Sequence, residues 1–130
     1  MIYLPLHLSR AFIQSRPEFI FIYGYDVIGT GCLGQPWVAH GEPNCYPVPT
    51  MYKFCPSGHV LFTDSRIDEW MQSIDKALAA VPQDGRVIVP FRKIGEGCSR
   101  LREIGPKTFA YLKSALHAIH ALQPEEIKWY

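Results

Sequence analysis

The chain has 130 residues, of which 48% are hydrophobic and 19% are charged, and its formal net charge at pH 7 is +1. This length and composition are typical of a single globular domain spanning 1–130 and exclude an intrinsically disordered chain. A charge so close to zero gives no electrostatic basis for binding nucleic acid or a membrane surface, so neither is an expected partner.

The N-terminal stretch MIYLPLHLSR lacks the basic start and long apolar run of a signal peptide, and no segment is long enough to span a bilayer. We therefore expect a cytoplasmic protein, in which cysteines are reduced. The cysteines are Cys32, Cys45, Cys55 and Cys98. Their spacing contains no C-x-x-C, which gives no support for a zinc knuckle or a thioredoxin-like motif.

The first half of the chain contains two predicted strands and a long irregular segment. MIYLPL is interrupted by Pro5 and would form an edge strand. FIFIY, from Phe19 to Tyr23, is a short apolar run typical of a strand buried on both faces. From Gly24 to Gly58, six glycines and five prolines leave little periodicity beyond a short helix at Gln35 to His40. A loop-rich segment of this length is usually functional when it is ordered.

The second half alternates helices and strands. Apolar residues recur at three- and four-residue steps between Asp64 and Val81, which predicts a helix with N-cap candidates at Thr63 to Ser65. RVIVP, from Arg86 to Pro90, is a second buried strand. Another helix begins at Pro106, and the tail IKWY is a candidate last strand. The buried face of that last helix is predicted to contain Phe109, Leu112, Leu116 and Ile119. This order of elements predicts an α/β sandwich.

Both central strands lead into glycine-rich turns, FIFIY into GYDVIGTGCLGQ and RVIVP into FRKIGEGCSR. If the two strands are parallel neighbours, both loops lie at the carboxyl edge of the sheet, where ligands bind in open α/β folds. Glycines there can turn backbone N–H groups toward an anion, although each loop alone could simply close a turn. GTGCLGQ matches a dinucleotide-binding fingerprint only in its letters, because prolines prevent the long helix that should follow.

The series FIFIYGYDVIGTGCLGQPWVAHGEPNCYPVPT resembles a group of small phage and bacterial macro-domain-like proteins. The stretches FTDSRIDEW, VIVPFRKIGEGCSRL and GPKTFAYL extend this resemblance, which covers roughly Phe19 to Leu116. It implies a three-layer α/β/α sandwich with a mixed central sheet. It also implies binding of ADP-ribose or a related NAD-derived nucleotide, with hydrolysis of an ADP-ribosyl or phosphate bond in some relatives and no separate cofactor. A phage-encoded protein of this kind would act in the host cytoplasm.

The resemblance also assigns site residues by position. The first ligand loop would contain Gly24, Asp26, Gly31, Gly34 and Gln35, the adjoining wall Gly41, Glu42, Pro43 and Asn44, and the second loop Gly95 and Gly97. Glu96 and Cys98, beside these two glycines, are further ligand-binding candidates. The chain departs from the family pattern at Tyr25, Asp26, Leu33, His40, Pro47 and Met51. Because the departures at His40 and Met51 replace cations, they would weaken a phosphate site, although Arg92, Lys93 and Arg100 flank the second loop.

Several of these side chains have two open interpretations. Asp26 and Glu42 are the acid/base candidates, since a carboxylate in a cleft can position water or bind a ribose hydroxyl. Alternatively, each bonds backbone N–H groups of its own loop. Asn44 and Gln35 could contact a base or ribose, or satisfy a neighbouring loop.

Cys98 is a candidate nucleophile that needs His40 or His59 as its base, or else a small buried thiol. The last helix carries His117 and His120 at i and i+3 but offers no third ligand nearby, so no metal site is expected. One aromatic ring could stack on a nucleobase, while most belong to the core. The candidates are Tyr23, Trp37, Tyr46, Tyr52 and Phe54.

Three functions therefore remain open. Nucleotide binding is the leading expectation. The alternative is a phage accessory protein that binds a host protein through the same fold, with aromatics between Tyr46 and Phe54 as anchors. The third is a hydrolase that depends on Cys98.

Overall fold

A computed structural model of the chain describes residues 1–31, 33–55, 58–119 and 122–130. The strands are β1 (Ile2–Leu4), β2 (Phe19–Asp26), β3 (Cys45–Lys53), β4 (Val60–Leu61), β5 (Val87–Pro90) and β6 (Ile127–Trp129). The helices are α1 (Arg10–Gln14), α2 (Gln35–Ala39), α3 (Ile67–Ala79), α4 (Leu101–Ile104) and α5 (Pro106–Ile119). The fold is of the α/β class, as the sequence predicts.

Four strands form a mixed sheet in the order β4-β3-β2-β5. β2 pairs in parallel with β3 on one side and with β5 on the other, whereas β4 runs antiparallel to β3. FIFIY and RVIVP are therefore adjacent parallel strands, with Phe19 opposite Val87 and Ile22 opposite Pro90. This confirms the condition on which the two-loop prediction depends, because the loops after β2 and β5 leave the sheet at the same edge.

The predicted strands at the two ends of the sequence pair with each other. Ile2–Leu4 lies parallel to Ile127–Trp129, and the amide of Tyr130 donates to the carbonyl of Leu4 at 3.0 Å. They make a separate two-stranded sheet. Leu4 is fully buried in the hydrophobic core, so this small sheet is anchored to the rest of the molecule.

The expectation of an irregular segment from Gly24 to Gly58 is wrong in its second half, where β3 occupies nine residues. Pro47 and Pro49 hide this strand in the sequence, because proline cannot donate a ladder hydrogen bond. Both prolines lie opposite β2, whereas within the described residues β4 pairs only with Met51 and Lys53. Prolines are accepted in such a strand because it has an open side along part of its length.

The two long predicted helices are confirmed, and so is the short helix α2. A 3-10 turn at Asp64–Arg66 precedes α3, whose apolar stripe buries Trp70, Ile74 and Leu78. α5 begins at Pro106, as predicted, and buries Leu112 and Leu116. None of the described helices combines the length and apolar character needed to cross a membrane.

Asp64, a predicted cap of α3, caps α5 instead. Its carboxylate accepts hydrogen bonds from the backbone N–H of Lys107 at 3.1 Å and from the N–H and hydroxyl of Thr108, each at 2.9 Å. Burial acts to raise the pKa of Asp64, but the bonds from Thr108 and Lys107 together outweigh it, and the pKa lies below its usual value. Asp64 thereby joins the start of α5 to the segment before α3.

Replacing Asp64 with alanine is expected to destabilise the protein by about 1–2 kcal/mol, the usual cost of losing a helix N-cap. Urea denaturation followed by circular dichroism measures this difference. Asp68→Ala is the matched control, since Asp68 is an exposed carboxylate in the first turn of α3 and its loss should cost only about 0.3–1 kcal/mol. Equal effects of the two substitutions would contradict the capping role.

Candidate functional site

A cavity of about 260 Å³ lies at the carboxyl edge of the three parallel strands. Its walls come from the end of β2, the loop that leads into α2, the end of β3 and the loop after β5. Every predicted site residue lines it except those of the adjoining wall, namely Gly41, Glu42, Pro43 and Asn44. The predicted residues in the lining are Gly24, Asp26, Gly31, Gly34, Gln35, Gly95, Glu96, Gly97 and Cys98. The structure thus brings both glycine loops to one cavity.

Asp26, at the end of β2, organises the first loop. Its buried carboxylate accepts from the amides of Thr30 (3.0 Å) and Gly31 (2.9 Å), from the Thr30 hydroxyl (2.7 Å), and from the amide of Phe54 (3.3 Å). Burial acts to raise the pKa of Asp26, but these bonds outweigh it and lower the pKa. Both oxygens are engaged by the loop, so Asp26 has the turn-capping role that the sequence left open.

Gln35 connects the two loops. Its Oε1 accepts from the amide of Gly24 at 2.7 Å, and its Nε2 donates to the carbonyl of Arg92 at 3.0 Å. A Cβ at Gly24 would lie 3.2 Å from Cγ2 of Thr50, a tight contact that a larger residue would have to relieve by a small shift. The amide of Gln35 therefore satisfies neighbouring backbone and fixes the spacing between β2 and the segment after β5.

The second loop has an unusual backbone. Lys93, Gly95, Gly97 and Arg100 all have positive φ angles, of 62°, 87°, 82° and 48° respectively. Gly95 packs tightly, since a Cβ there would lie 3.0 Å from the ring of Phe109. The repeated left-handed residues fold the chain back on itself, which holds Gly95 to Ser99 against the cavity.

Ser99 is a lining residue that the sequence analysis did not single out. It is only 5% exposed, and its hydroxyl is the one buried side-chain polar atom without a hydrogen-bond partner in the described part of the chain. A buried polar group left unpaired costs about 1–3 kcal/mol, so such groups normally have a partner. Only its position after the glycine loop could have suggested it from sequence.

The charged groups of the cavity are few. The described lining residues include the carboxylates of Asp26 and Glu96 but no lysine or arginine, and Glu96 pairs with Arg102 at 3.1 Å. Arg92 and Lys93, just before the second loop, are exposed. An anionic ligand group would therefore depend on backbone N–H groups, with these two cations available from outside the lining.

Glu42 and Asn44 lie outside the cavity. Glu42 accepts from Nη1 of Arg10 at 2.7 Å and from Gln14 at 3.1 Å, and the bond from Arg10 is the main cause of its lowered pKa. The buried side-chain amide of Asn44 donates to the carbonyls of Ile13 at 3.1 Å and Arg16 at 3.0 Å. Both side chains fasten α1 and its following turn to the start of β3, so the structure places neither beside a ligand in the cavity.

Cys98 is exposed at the cavity, but the histidines proposed as its base are not in the lining. Nδ1 of His40 is bonded to the hydroxyl of Tyr23 at 2.9 Å, and Nδ1 of His59 accepts from the amide of Cys55 at 3.1 Å. The described residues contain no group of three His, Cys, Asp or Glu side chains that could hold a metal. The predictions for Cys32 and His120 lie outside the described residues.

The other described cysteines are not in disulfide bonds. Cys45 is half-buried at the start of β3, and burial raises the pKa of its thiol to about 12. A thiol so hard to deprotonate is a poor nucleophile at neutral pH. Among the described cysteines, Cys98 is the one that lines the cavity.

The fold defines an α/β protein with a small cavity at the carboxyl ends of three parallel strands. The chain belongs to the family of unknown function DUF7831, whose family model matches residues 5–115. No curated protein and no solved structure matches the chain.

Proposed function

We propose that the cavity binds ADP-ribose or a related NAD-derived nucleotide. The observation that carries this proposal is Ser99, a residue of the cavity wall whose buried hydroxyl has no hydrogen-bond partner among the described residues. A ribose hydroxyl or a phosphate oxygen supplies the hydrogen-bond partner that this group lacks. An unpaired buried hydroxyl is unfavourable in the empty site, so a ligand that forms a hydrogen bond with it gains affinity.

The position of the cavity supports the same proposal. Two glycine loops meet at the carboxyl ends of parallel strands, the place where α/β proteins bind nucleotides. The proposal includes a macro-domain-like, three-layer arrangement of helices on both sides of the mixed sheet, as implied by the resemblance of Phe19 to Leu116. It also includes a cytoplasmic location, in the host if the gene is phage-borne.

Binding is the activity that we propose, and hydrolysis would need an additional group. Both oxygens of Asp26 already accept loop hydrogen bonds, so this carboxylate would have to release one of them to position water. The thiol of Cys98 would have to act without a histidine from the described lining. Hydrolysis of an ADP-ribosyl or phosphate bond therefore stays a secondary expectation.

A second candidate is the binding of a host protein through the same fold. The exposed apolar side chains of Leu33 (62%) and Trp37 (68%) favour it, because both lie in or beside α2. Tyr46 and Tyr52, the anchors expected from sequence, are instead half-buried against the core. This candidate predicts that the exposed side chains of Leu33 and Trp37, rather than Ser99, determine binding.

Isothermal titration calorimetry with ADP-ribose, NAD and AMP tests the nucleotide proposal. The wild-type protein is expected to bind at least one of them, and Ser99→Ala is expected to weaken that binding about tenfold by removing one hydrogen bond. The same substitution should leave the stability of the free protein unchanged or raised, since it removes an unsatisfied buried group. Ser114→Ala, at an exposed serine of α5, is the control.

Two results would contradict the proposal. One is the absence of binding heat for all three nucleotides with the wild-type protein. The other is unchanged nucleotide affinity in Ser99→Ala. Recovery of a host protein that is lost in Trp37→Ala, together with the first result, would favour the second candidate.

A further inference from the structure

The lining of the cavity includes aromatic residues. Of the aromatic residues considered from sequence, Tyr23 is buried in the core, Tyr52 packs on Trp70 at 6.0 Å between ring centres, and Trp37 is exposed outside the lining. Among the described residues, the aromatic side chains that line the cavity are Tyr25 and Phe54. Of the candidates from sequence, Phe54 is therefore the one in the described lining, and the structure adds Tyr25.

Tyr25 is committed to the protein around it. Its ring lies 4.9 Å from the ring of His40 and 5.9 Å from that of Tyr23, and a Cβ on Gly31 would be only 3.4 Å from it. Its hydroxyl donates to the carbonyl of Gly29 at 2.9 Å. The ring is therefore part of the support beneath the first loop.

Phe54 is held differently. Its amide donates to Asp26 at 3.3 Å, and its carbonyl accepts from the hydroxyl of Thr30 at 3.0 Å. The ring stacks on that of His59, with 4.6 Å between centres and 28° between planes. His59 is itself fixed, because its Nδ1 accepts from the amide of Cys55. One face of Phe54 is thus backed by a fixed ring, while the residue borders the cavity.

We propose that Phe54 is the platform on which a flat heteroaromatic ring of the ligand stacks. This inference rests on the proposed function and specifies it, because it assigns the ring of the ligand to Phe54 and its sugar or phosphate to the loop containing Ser99. The volume of about 260 Å³ is just under the range of roughly 300–1,000 Å³ usual for ligand pockets. It suits one nucleoside unit, with the rest of a dinucleotide extending outside.

Stacking predicts a difference between ligands with and without a base. A base on an aromatic ring contributes about tenfold or more to affinity. Phe54→Leu keeps an apolar side chain but removes the π-face, and is expected to weaken AMP binding about tenfold. The same variant should bind ribose 5-phosphate with unchanged affinity, because this ligand has no ring to stack.

Calorimetry with AMP and ribose 5-phosphate, on wild-type protein, Phe54→Leu and Phe54→Tyr, carries out this test. Phe54→Tyr should restore AMP binding, since it restores the aromatic face. Phe12→Leu is the control, at a half-buried phenylalanine that packs on Phe21 away from the cavity lining. Unchanged AMP affinity in Phe54→Leu, or an equal loss for both ligands, would overturn the platform.

A second measurement covers the case in which Phe54→Leu does not fold. In Phe54→Trp, AMP is expected to quench the indole fluorescence, whereas ribose 5-phosphate should not. No quenching by AMP at concentrations that saturate the wild-type protein would overturn the inference. The two proposals fail separately: wild-type protein that binds none of the nucleotides refutes the proposed function, whereas nucleotide binding that is independent of Phe54 refutes only the platform.

Discussion

Gly105→Ala is expected to lower the free energy of unfolding by about 3 kcal/mol or more, at the upper end of the usual cost of overpacking. A Cβ at this position would lie 2.2 Å from the carbonyl oxygen of Phe62 and 3.2 Å from Cδ1 of Leu101. The first contact is with backbone, which cannot rotate away as a side chain would. The substitution must therefore separate the segment before α3 from the start of α5, and with it the Asp64 cap.

Chemical denaturation of Gly105→Ala and of Gly58→Ala measures this effect with a matched control. A Cβ on Gly58 would meet no heavy atom of the described residues within 4 Å, and the φ angle there is not in the left-handed range. Gly58→Ala should therefore leave stability unchanged or raise it by up to about 1 kcal/mol through the unfolded chain. A loss below about 1 kcal/mol in Gly105→Ala would contradict the close approach to Phe62.

Asp26→Asn is expected to destabilise the protein by about 2–3 kcal/mol at pH 7 and to abolish the proposed nucleotide binding. The amide keeps one acceptor oxygen but turns an NH2 group toward donors from Thr30, Gly31 or Phe54. Because those donors fix both the first loop and Phe54, the cavity should lose its shape. Asp68→Asn, at an exposed carboxylate of α3, should change neither property.

The effect of Asp26→Asn should also depend on pH. The folded-state pKa of Asp26 is lowered, so its contribution is present above the unfolded value of about 4 and is lost as the pH falls through the folded value. A protonated carboxyl resembles the amide, so wild type and variant should become more alike below pH of about 4. Urea denaturation across this range measures the difference, and a gap that stays constant or widens at low pH would contradict the role of the carboxylate.

The parts of the fold that follow from local pattern were predictable. Runs of β-branched and aromatic residues identified β2 and β5, and helical spacing with Pro106 identified α3 and α5. β3 was missed because Pro47 and Pro49 forbid ladder donors, a rule that is relaxed where a strand has an open side. Helices α1 and α4 have only five and four residues, too few for a periodic pattern to appear.

The cavity was predictable to the extent that it depends on strand ends and glycines. Parallel neighbours necessarily place their following loops together, which is why both loops line it. Asp26 caps its own loop, whereas the side chain of Asn44 donates to carbonyls of α1 and the turn after it. The sequence could not distinguish these two roles, because they depend on backbone groups that are distant in the chain. The unpaired state of Ser99 likewise reflects its whole surroundings, which no local pattern encodes.

The pairing of β1 with β6 has a consequence for the order in which the molecule is made. Residues 2–4 leave the ribosome long before their partners, residues 127–129. During synthesis the backbone of β1 therefore has no strand to complete it, and closing the intervening loop carries the largest chain-entropy cost in this topology. Until β1 pairs with β6, the nascent chain exposes an unpaired strand edge to other nascent chains on the same messenger RNA.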